Sequence, residues 1–194
     1  NHSATHLLHH ALRAVLGRHV EQKGSLVNSK YLRFDFAHFS KVTEEEINEI
    51  ETQVIKGIEN GIKLNEQRDI PIENAKEMGA MALFGEKYGD SVRVIQFNDS
   101  IELCGGIHVQ STSDIGLFKV TSESAVAAGI RRIEAISGDI AQEYFRGKTA
   151  TLENISSLLK KPKDIEKSIH DLIDKNNQLT KQIDVLNKEK ASLI

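Results

Sequence analysis

The sequence predicts an α+β fold, with helices packed on an antiparallel or mixed sheet and a long C-terminal helix of coiled-coil type after it. Three patterns carry that prediction. An amphipathic helical stripe opens the chain, short strand-like runs fill its middle between glycines and polar turns, and a heptad repeat closes it. With 39% hydrophobic and 27% charged residues the composition is that of an ordinary globular domain. Aromatics are only 5% and Trp is absent, so the core must be built mainly from Leu, Ile, Val and Ala.

Each element has its own signal. Leu7, Leu8, Ala11, Leu12, Val15 and Leu16 recur at helical spacing from His2 onward, and Gly17 is a natural stop. At about 100° per residue, His2, His6 and His10 project from the side opposite that stripe, giving the helix a packing face and a histidine face. A polar loop is expected around Gln22, Lys23, Gly24 and Ser25, and the alternation of residues 31–36 predicts a strand with one buried face. Thr43 and Glu46 have capping-box spacing, and Ile47, Ile50, Val54, Ile58 and Ile62 supply the stripe of the helix they begin. Residues 82–89, punctuated by Gly85 and Gly89, read as loop or turn, whereas residues 92–97, 116–120 and 130–136 read as strands.

Beyond Pro162, Ile165, Ile169, Leu172, Asn176, Leu179, Ile183, Leu186, Lys190 and Leu193 alternate at spacings of four and three. That is a heptad seam, with Asn176 as a register-fixing polar position. Six acidic and six basic residues between 163 and 194 leave this arm electrically neutral, so it is not a phosphate-binding tail. The organisation expected is a body over 1–160 and a helical arm over 161–194, whose apolar seam calls for a partner helix from further chain, a second copy or the body itself.

Charge and cysteine content narrow the function classes. A formal net charge of −3 excludes a general nucleic-acid coat protein, so any nucleic-acid contact must be local. The single cysteine, Cys104, excludes an internal disulfide framework and fits a reducing interior. No run approaches the roughly 20 apolar residues of a membrane span. The expected setting is cytoplasmic, with no membrane partner. Asn1 leads straight into a helical pattern, as though a further region preceded it.

One constellation carries chemistry. Two histidines four apart on a helix present their rings at chelating separation, and a thiolate with a third imidazole completes a tetrahedral zinc shell. His2 with His6, or His6 with His10, provides the pair, while Cys104 and His108 sit close together across the flexible Gly105-Gly106 turn. The plainer reading has exposed histidines and a buried cysteine, with His9 and His19 as surface or packing residues.

The segments Asn1-His2-Ser3-Ala4-Thr5-His6-Leu7-Leu8 and Glu102-Leu103-Cys104-Gly105-Gly106-Ile107-His108-Val109 resemble the paired zinc motifs of alanyl-tRNA synthetase editing domains. Residues 22–27, 32–36 and 80–89 also resemble signatures of that family, and the likeness runs from residue 1 to about 160. The heptad arm resembles the coiled coil that comes next in the family. The resemblance implies zinc held by His2, His6, Cys104 and His108, and hydrolysis of the ester of serine or glycine wrongly attached to the alanine tRNA.

It further implies roles in editing or discrimination for Thr5, Gln22 and Ser25, whose plainer readings are a helix-face hydroxyl and loop polars. The partner implied is the 3′ end of that tRNA, with Arg131 or Arg132 as a phosphate contact. Neighbouring strand residues face opposite sides, so at most one arginine serves. One position departs from the pattern: Ile107 stands where the family commonly has Thr, so a hydroxyl beside the metal shell is absent and any discrimination that used it falls to other groups such as Thr5.

An editing domain of the threonyl type shares the paired motifs but fits the Gly105-Gly106 turn and residues 84–89 less well, and a free-standing alanyl editing protein would not need the arm. From another class comes a structural zinc module docking through its heptad seam without catalysis. No aminoacylation site is recognisable in the sequence, so alanine activation would belong elsewhere in a parent enzyme.

Overall fold

The computed structural model describes residues 1–81 and 89–192. The turn expected at 82–88 and the heptad position Leu193 lie outside the described residues. In chain order the elements are α1 (His2–Leu16), β1 (Gln22–Val27), β2 (Leu32–Ala37), α2 (Glu44–Glu59), β3 (Asn65–Pro71), α3 (Ile72–Glu77), β4 (Ser91–Phe97), β5 (Ser100–Leu103), a 3-10 turn (Thr112–Ile115), β6 (Phe118–Ala127), β7 (Ile130–Ser137), α4 (Gly138–Leu158) and α5 (Ile165–Ser192). The strands form two sheets, one ordered β1-β2-β7-β6 and one ordered β3-β4-β5. All of their strand pairings are antiparallel. The α+β expectation holds, and the sheets are antiparallel rather than mixed.

The core forms where α1 and α2 cover the inner face of the four-stranded sheet. Ala4, Leu8 and Leu12 of α1 and Ile50, Val54 and Ile58 of α2 join Leu32, Phe34, Phe36 and Ile133 in one buried cluster, which Ile95 and Phe97 extend from the second sheet. Helix α1 stops at Gly17, whose φ of 114° only glycine adopts freely, while its N–H donates to the Arg13 carbonyl. Helix α2 starts with the expected capping box: the Glu46 N–H donates to Thr43 Oγ1 at 3.2 Å, and the Thr43 N–H donates to Glu46 Oε2 at 2.8 Å.

One expectation needs correction. Residues 22–25 lie in the edge strand β1 rather than a loop. They escape the strand signal because β1 is half-exposed throughout, with no alternation of buried and exposed positions. The histidine face of α1 is largely covered. His6 and His9 are buried, His2 is half-buried and only His10 is exposed, because β5 and β2 cover the helix from that side.

The register of β1 decides which of its side chains share a face. Gln22 is opposite Phe36, Gly24 opposite Asp35 and Ser25 opposite Phe34, with a bulge between Gln22 and Gly24. In a regular strand, residues three apart face opposite sides. Here the extra residue brings Gln22 and Ser25 onto the same face, the one that Phe34 and Phe36 turn toward the core.

Residues 1–144 and 145–194 form two compact units. Helix α5 is a single helix of 28 residues. Its seam residues Ile169, Leu172, Leu179, Ile183 and Leu186 are exposed.

Candidate metal centre

Two halves build the site. Helix α1 presents His2 and His6 one turn apart, and the turn leaving β5 presents Cys104 and His108. One ligand atom from each of these four residues lies within 4.8 Å of all the others. Cys104 Sγ is 3.3 Å from His2 Nε2 and 3.4 Å from His108 Nε2. A tetrahedral zinc with bonds of about 2.0–2.1 Å to nitrogen and 2.3 Å to sulfur sets neighbouring donors roughly 3.5 Å apart. The sequence spacing left two helical pairs open, and it is His2 with His6 that joins the cluster, while His10 stays exposed.

The turn is held from both sides. The Arg93 guanidinium donates to the Cys104 carbonyl at 3.1 Å and to the Gly106 carbonyl, and its Nε donates to Glu66 at 2.9 Å. Glu66, hydrogen-bonded by Arg93 and then by Arg68, has its carboxyl held down at about 2. Gly106 is required for space, because a Cβ there would lie 1.8 Å from His2 Cε1, whereas at Gly105 nothing stands within 4 Å.

The ligand side chains are oriented from behind. Ser3 Oγ is 3.2 Å from His108 Nδ1 and accepts the Val109 N–H at 3.1 Å, which leaves His108 Nε2 to the cluster. Behind α1, Glu102 is 4% exposed and stands between His6 and His9, with Oε1 3.0 Å from His9 Nδ1 and Oε2 3.4 Å from His6 Nδ1. Burial by itself raises the Glu102 carboxyl, but His6 and His9 outweigh it and the net displacement is downward.

Burial first, and then repulsion from neighbouring imidazoles and Arg93, push His2 and His6 below the ordinary imidazole range, and His108 down to about 3. Neutral imidazoles are what a metal needs, since a protonated ring nitrogen has no lone pair to give. Three such nitrogens and one sulfur at these separations, with Gly106 cradling the His2 ring, fit zinc.

The cluster opens onto a cleft of about 530 Å³ lined by His2, Thr5, His6, Gln22, Ser25 and Cys104, among others. Thr5, Gln22 and Ser25, distant in sequence from Cys104, thus share one cavity with the cluster. Thr5 is buried and its hydroxyl donates to the Asn1 carbonyl at 3.1 Å, so toward the cleft it offers only acceptor lone pairs. The bulge in β1 is what turns both Gln22 and Ser25 to this side.

Three other candidates lie elsewhere. Ile107 is 91% exposed and lines a second cleft with Asn28, Asp114 and Asp139. Arg131 makes paired hydrogen bonds of 2.6 Å to Glu123, and Arg132 makes bonds of 2.7 and 2.8 Å to Asp35. Both guanidiniums are therefore matched by internal carboxylates. Sequence reasoning assigned no role to Ser3, Arg93 or Glu102. For Glu102 a signal existed, since it is an acidic residue two positions before Cys104.

Known proteins resemble this arrangement in sequence. Residues 92–134 match the family described as threonyl and alanyl tRNA synthetase second additional domain. The alanine--tRNA ligase of Flavobacterium psychrophilum is 59% identical over 190 residues, 98% of this chain and 21% of that protein. That of Cytophaga hutchinsonii is 58% identical over 196 residues, covering 100% of this chain and 22% of that protein. The corresponding ligase of Christiangramia forsetii is 59% identical over 191 residues, again 98% and 22%. The chain thus spans about a fifth of the length of these relatives. On that similarity it belongs to the alanine--tRNA ligase family, as a segment that includes the match to the second additional domain.

Proposed function

We propose that this chain is the editing part of an alanine--tRNA ligase and hydrolyses the ester of serine or glycine wrongly attached to the alanine tRNA. The observation that carries the reading is the shared cleft: Thr5, Gln22 and Ser25 line the same cavity as His2, His6 and Cys104. Its volume falls within the range of small-ligand sites, enough for the aminoacylated end of a tRNA.

His2, His6, Cys104 and His108 would hold the zinc, and the chemistry it supplies when bound is a fixed positive charge and Lewis acidity beside the ester. The chain's own residues do the rest. Glu102 is the sole carboxylate lining the cleft among the described residues, and both its oxygens face histidines. Among the described residues no free general base stands there, so the reading has hydrolysis rest on orienting a water against the ester carbonyl, a task for the neutral side chains of Gln22 and Ser25. Thr5 tests the acyl group. A seryl hydroxyl donates to the open lone pair of Thr5 Oγ1, while alanine leaves that lone pair without a donor.

The reading places the editing domain over residues 1–160 and a coiled-coil arm over 161–194, with a cytoplasmic setting. Among the described residues no helix is long and apolar enough to cross a membrane. A phosphate contact through Arg131 or Arg132 would have to share a guanidinium already paired with Glu123 or Asp35. Attachment of alanine with ATP belongs to the parent enzyme.

The test compares deacylation of seryl- and alanyl-esterified alanine tRNA by this chain and by its Cys104→Ala variant, with metal content measured. Loss of serine alone, abolished with the metal in the variant, is the expected result. Stoichiometric zinc without hydrolysis, repeated in the full-length parent enzyme, would instead establish a structural module docking through its heptad seam.

A further inference from the structure

Behind the metal centre the candidate ligand His6 stands in a buried trio whose other two members, Glu102 and His9, are not ligands themselves. His9, Glu102 and His6 lie in line across the α1–β5 contact, with side chains 3–5% exposed. Glu102 Oε1 accepts from His9 Nδ1 at 3.0 Å, while Oε2 lies 3.4 Å from His6 Nδ1. His9 Nε2 is buried with no hydrogen-bond partner among the described residues, and its ring packs against Phe34 at 5.0 Å between centroids.

We infer that Glu102 is a positioning residue for the metal ligand His6, and that His9 is the clamp that holds Glu102 in place. A buried carboxylate is costly without partners, and a Leu or Met of similar size would pack this core more simply. Its placement has a directional consequence. A carboxylate only accepts, so His9 must carry its proton on Nδ1, and any hydrogen bond between His6 and Oε2 requires a proton on His6 Nδ1 as well. The nitrogen left on His6 with a lone pair is Nε2, the same atom that His2 and His108 turn toward Cys104 Sγ.

His6 Nδ1 has no aligned hydrogen-bond partner here despite the carboxylate 3.4 Å away. A metal drawing on Nε2 makes Nδ1–H a stronger donor and tightens that contact. His9 cannot act on the ligands directly, because Glu102 stands between. The clamp is completed by Ser100, whose hydroxyl is 3.5 Å from Glu102 Oε1. Among the four candidate ligands, then, His6 is oriented by a charged outer partner and His108 by a neutral one, Ser3.

This inference rests on reading the cluster as a zinc site, and the experiment separates the two. Zinc affinity is measured in the 194-residue chain by competition with a chelator, and the ligand set is read from the visible spectrum of Co²⁺ loaded in its place. Glu102→Gln should weaken zinc roughly 10–100-fold, the range for loss of an outer partner, with the unfolding midpoint of the metal-free protein no lower than that of the unaltered chain. His9→Phe, which keeps the ring and removes the donor, should weaken zinc by roughly 3–10-fold, and His9→Gln, which restores a donor, should recover most of it.

Zinc affinity of Glu102→Gln within about twofold of the unaltered chain overturns the inference and leaves the zinc site standing. No Co²⁺ spectrum and no zinc uptake by the unaltered chain overturns the zinc site itself. Should Glu102→Gln not fold, ¹⁵N spectra of the histidine rings in the zinc-loaded unaltered chain decide the matter. The expected His6 is metal-bound through Nε2 and protonated at Nδ1, and a His6 bound through Nδ1 refutes the assignment.

Discussion

Replacing Gly106 by alanine adds one carbon to the turn between Cys104 and His108, and the structure says where that carbon goes. An ideal Cβ would sit 1.8 Å from Cε1, 2.1 Å from Nδ1 and 2.8 Å from Nε2 of His2. Ordinary van der Waals contact begins near 3.4 Å, so ring or turn must retreat by about 1.6 Å. Ligand positions around zinc tolerate only about 0.2 Å. His2 is therefore lost as a ligand, or the turn carries Cys104 and His108 out of place. Gly106→Ala should weaken zinc by more than about 100-fold, beyond what the loss of an outer partner costs.

Gly105→Ala is the control. A Cβ there meets nothing within 4 Å, and neither glycine adopts the left-handed backbone that would strain an alanine. Chelator competition on both variants gives the comparison. Zinc retained by Gly106→Ala within a few-fold would refute the steric argument. Equal losses in both would mean that glycine matters for freedom of the turn rather than for room beside His2.

Three further outcomes are expected. Thr5→Val should keep zinc but narrow the preference for seryl over alanyl ester by at least about fivefold, the equivalent of about 1 kcal/mol from one hydrogen bond; an unchanged ratio of deacylation rates would remove Thr5 from discrimination. Glu51→Ala withdraws a buried carboxylate that accepts the Val120 N–H at 2.7 Å and the Lys119 ammonium at 2.8 Å. It should cost about 2 kcal/mol and lower the melting midpoint by about 4–8 °C in a chain of this size. The metal-free chain should also lose stability as pH falls below about 6.5. Its folded state resists protonation at His2, His6 and, down to about 3, His108, whereas the unfolded chain takes up those protons near 6.5. Urea midpoints at about pH 7.5 and 5.0 should differ in that sense, and equal or reversed midpoints would contradict it.

Elements with a strong apolar period were legible in the sequence, and those without one were not. The stripes of α1 and α2 and the apolar runs that became β4 and β7 each end up among the buried residues. Strand β3, with Asn, Glu, Gln, Arg and Asp in succession, pairs at a sheet edge and buries nothing fully, so no alternation marked it. Helix α4 went unseen for a related reason, since Ala141 is its one fully buried residue. Within the site, ligand chemistry was readable because metal binding demands particular residue types at fixed spacing. The β1 bulge was not, because a bulge is a relation between two strands and leaves its mark only in their register.

The two halves of the site explain why neither sequence motif is informative alone. The second-additional-domain match covers residues 92–134, which takes in Cys104 and His108 but not His2, His6, Thr5, Gln22 or Ser25. Each half supplies two of the four candidate ligands, and two ligands do not close a zinc shell. The halves meet through contacts that are themselves split: Ser3 of α1 receives the Val109 N–H from the far side of the turn, and Glu102 of β5 reaches back to His6 and His9 of α1. Metal binding by these four residues would therefore be coupled to docking of α1 against β5. Each should raise the local concentration of donors for the other, so that zinc stabilises the body in proportion to its affinity for the folded state.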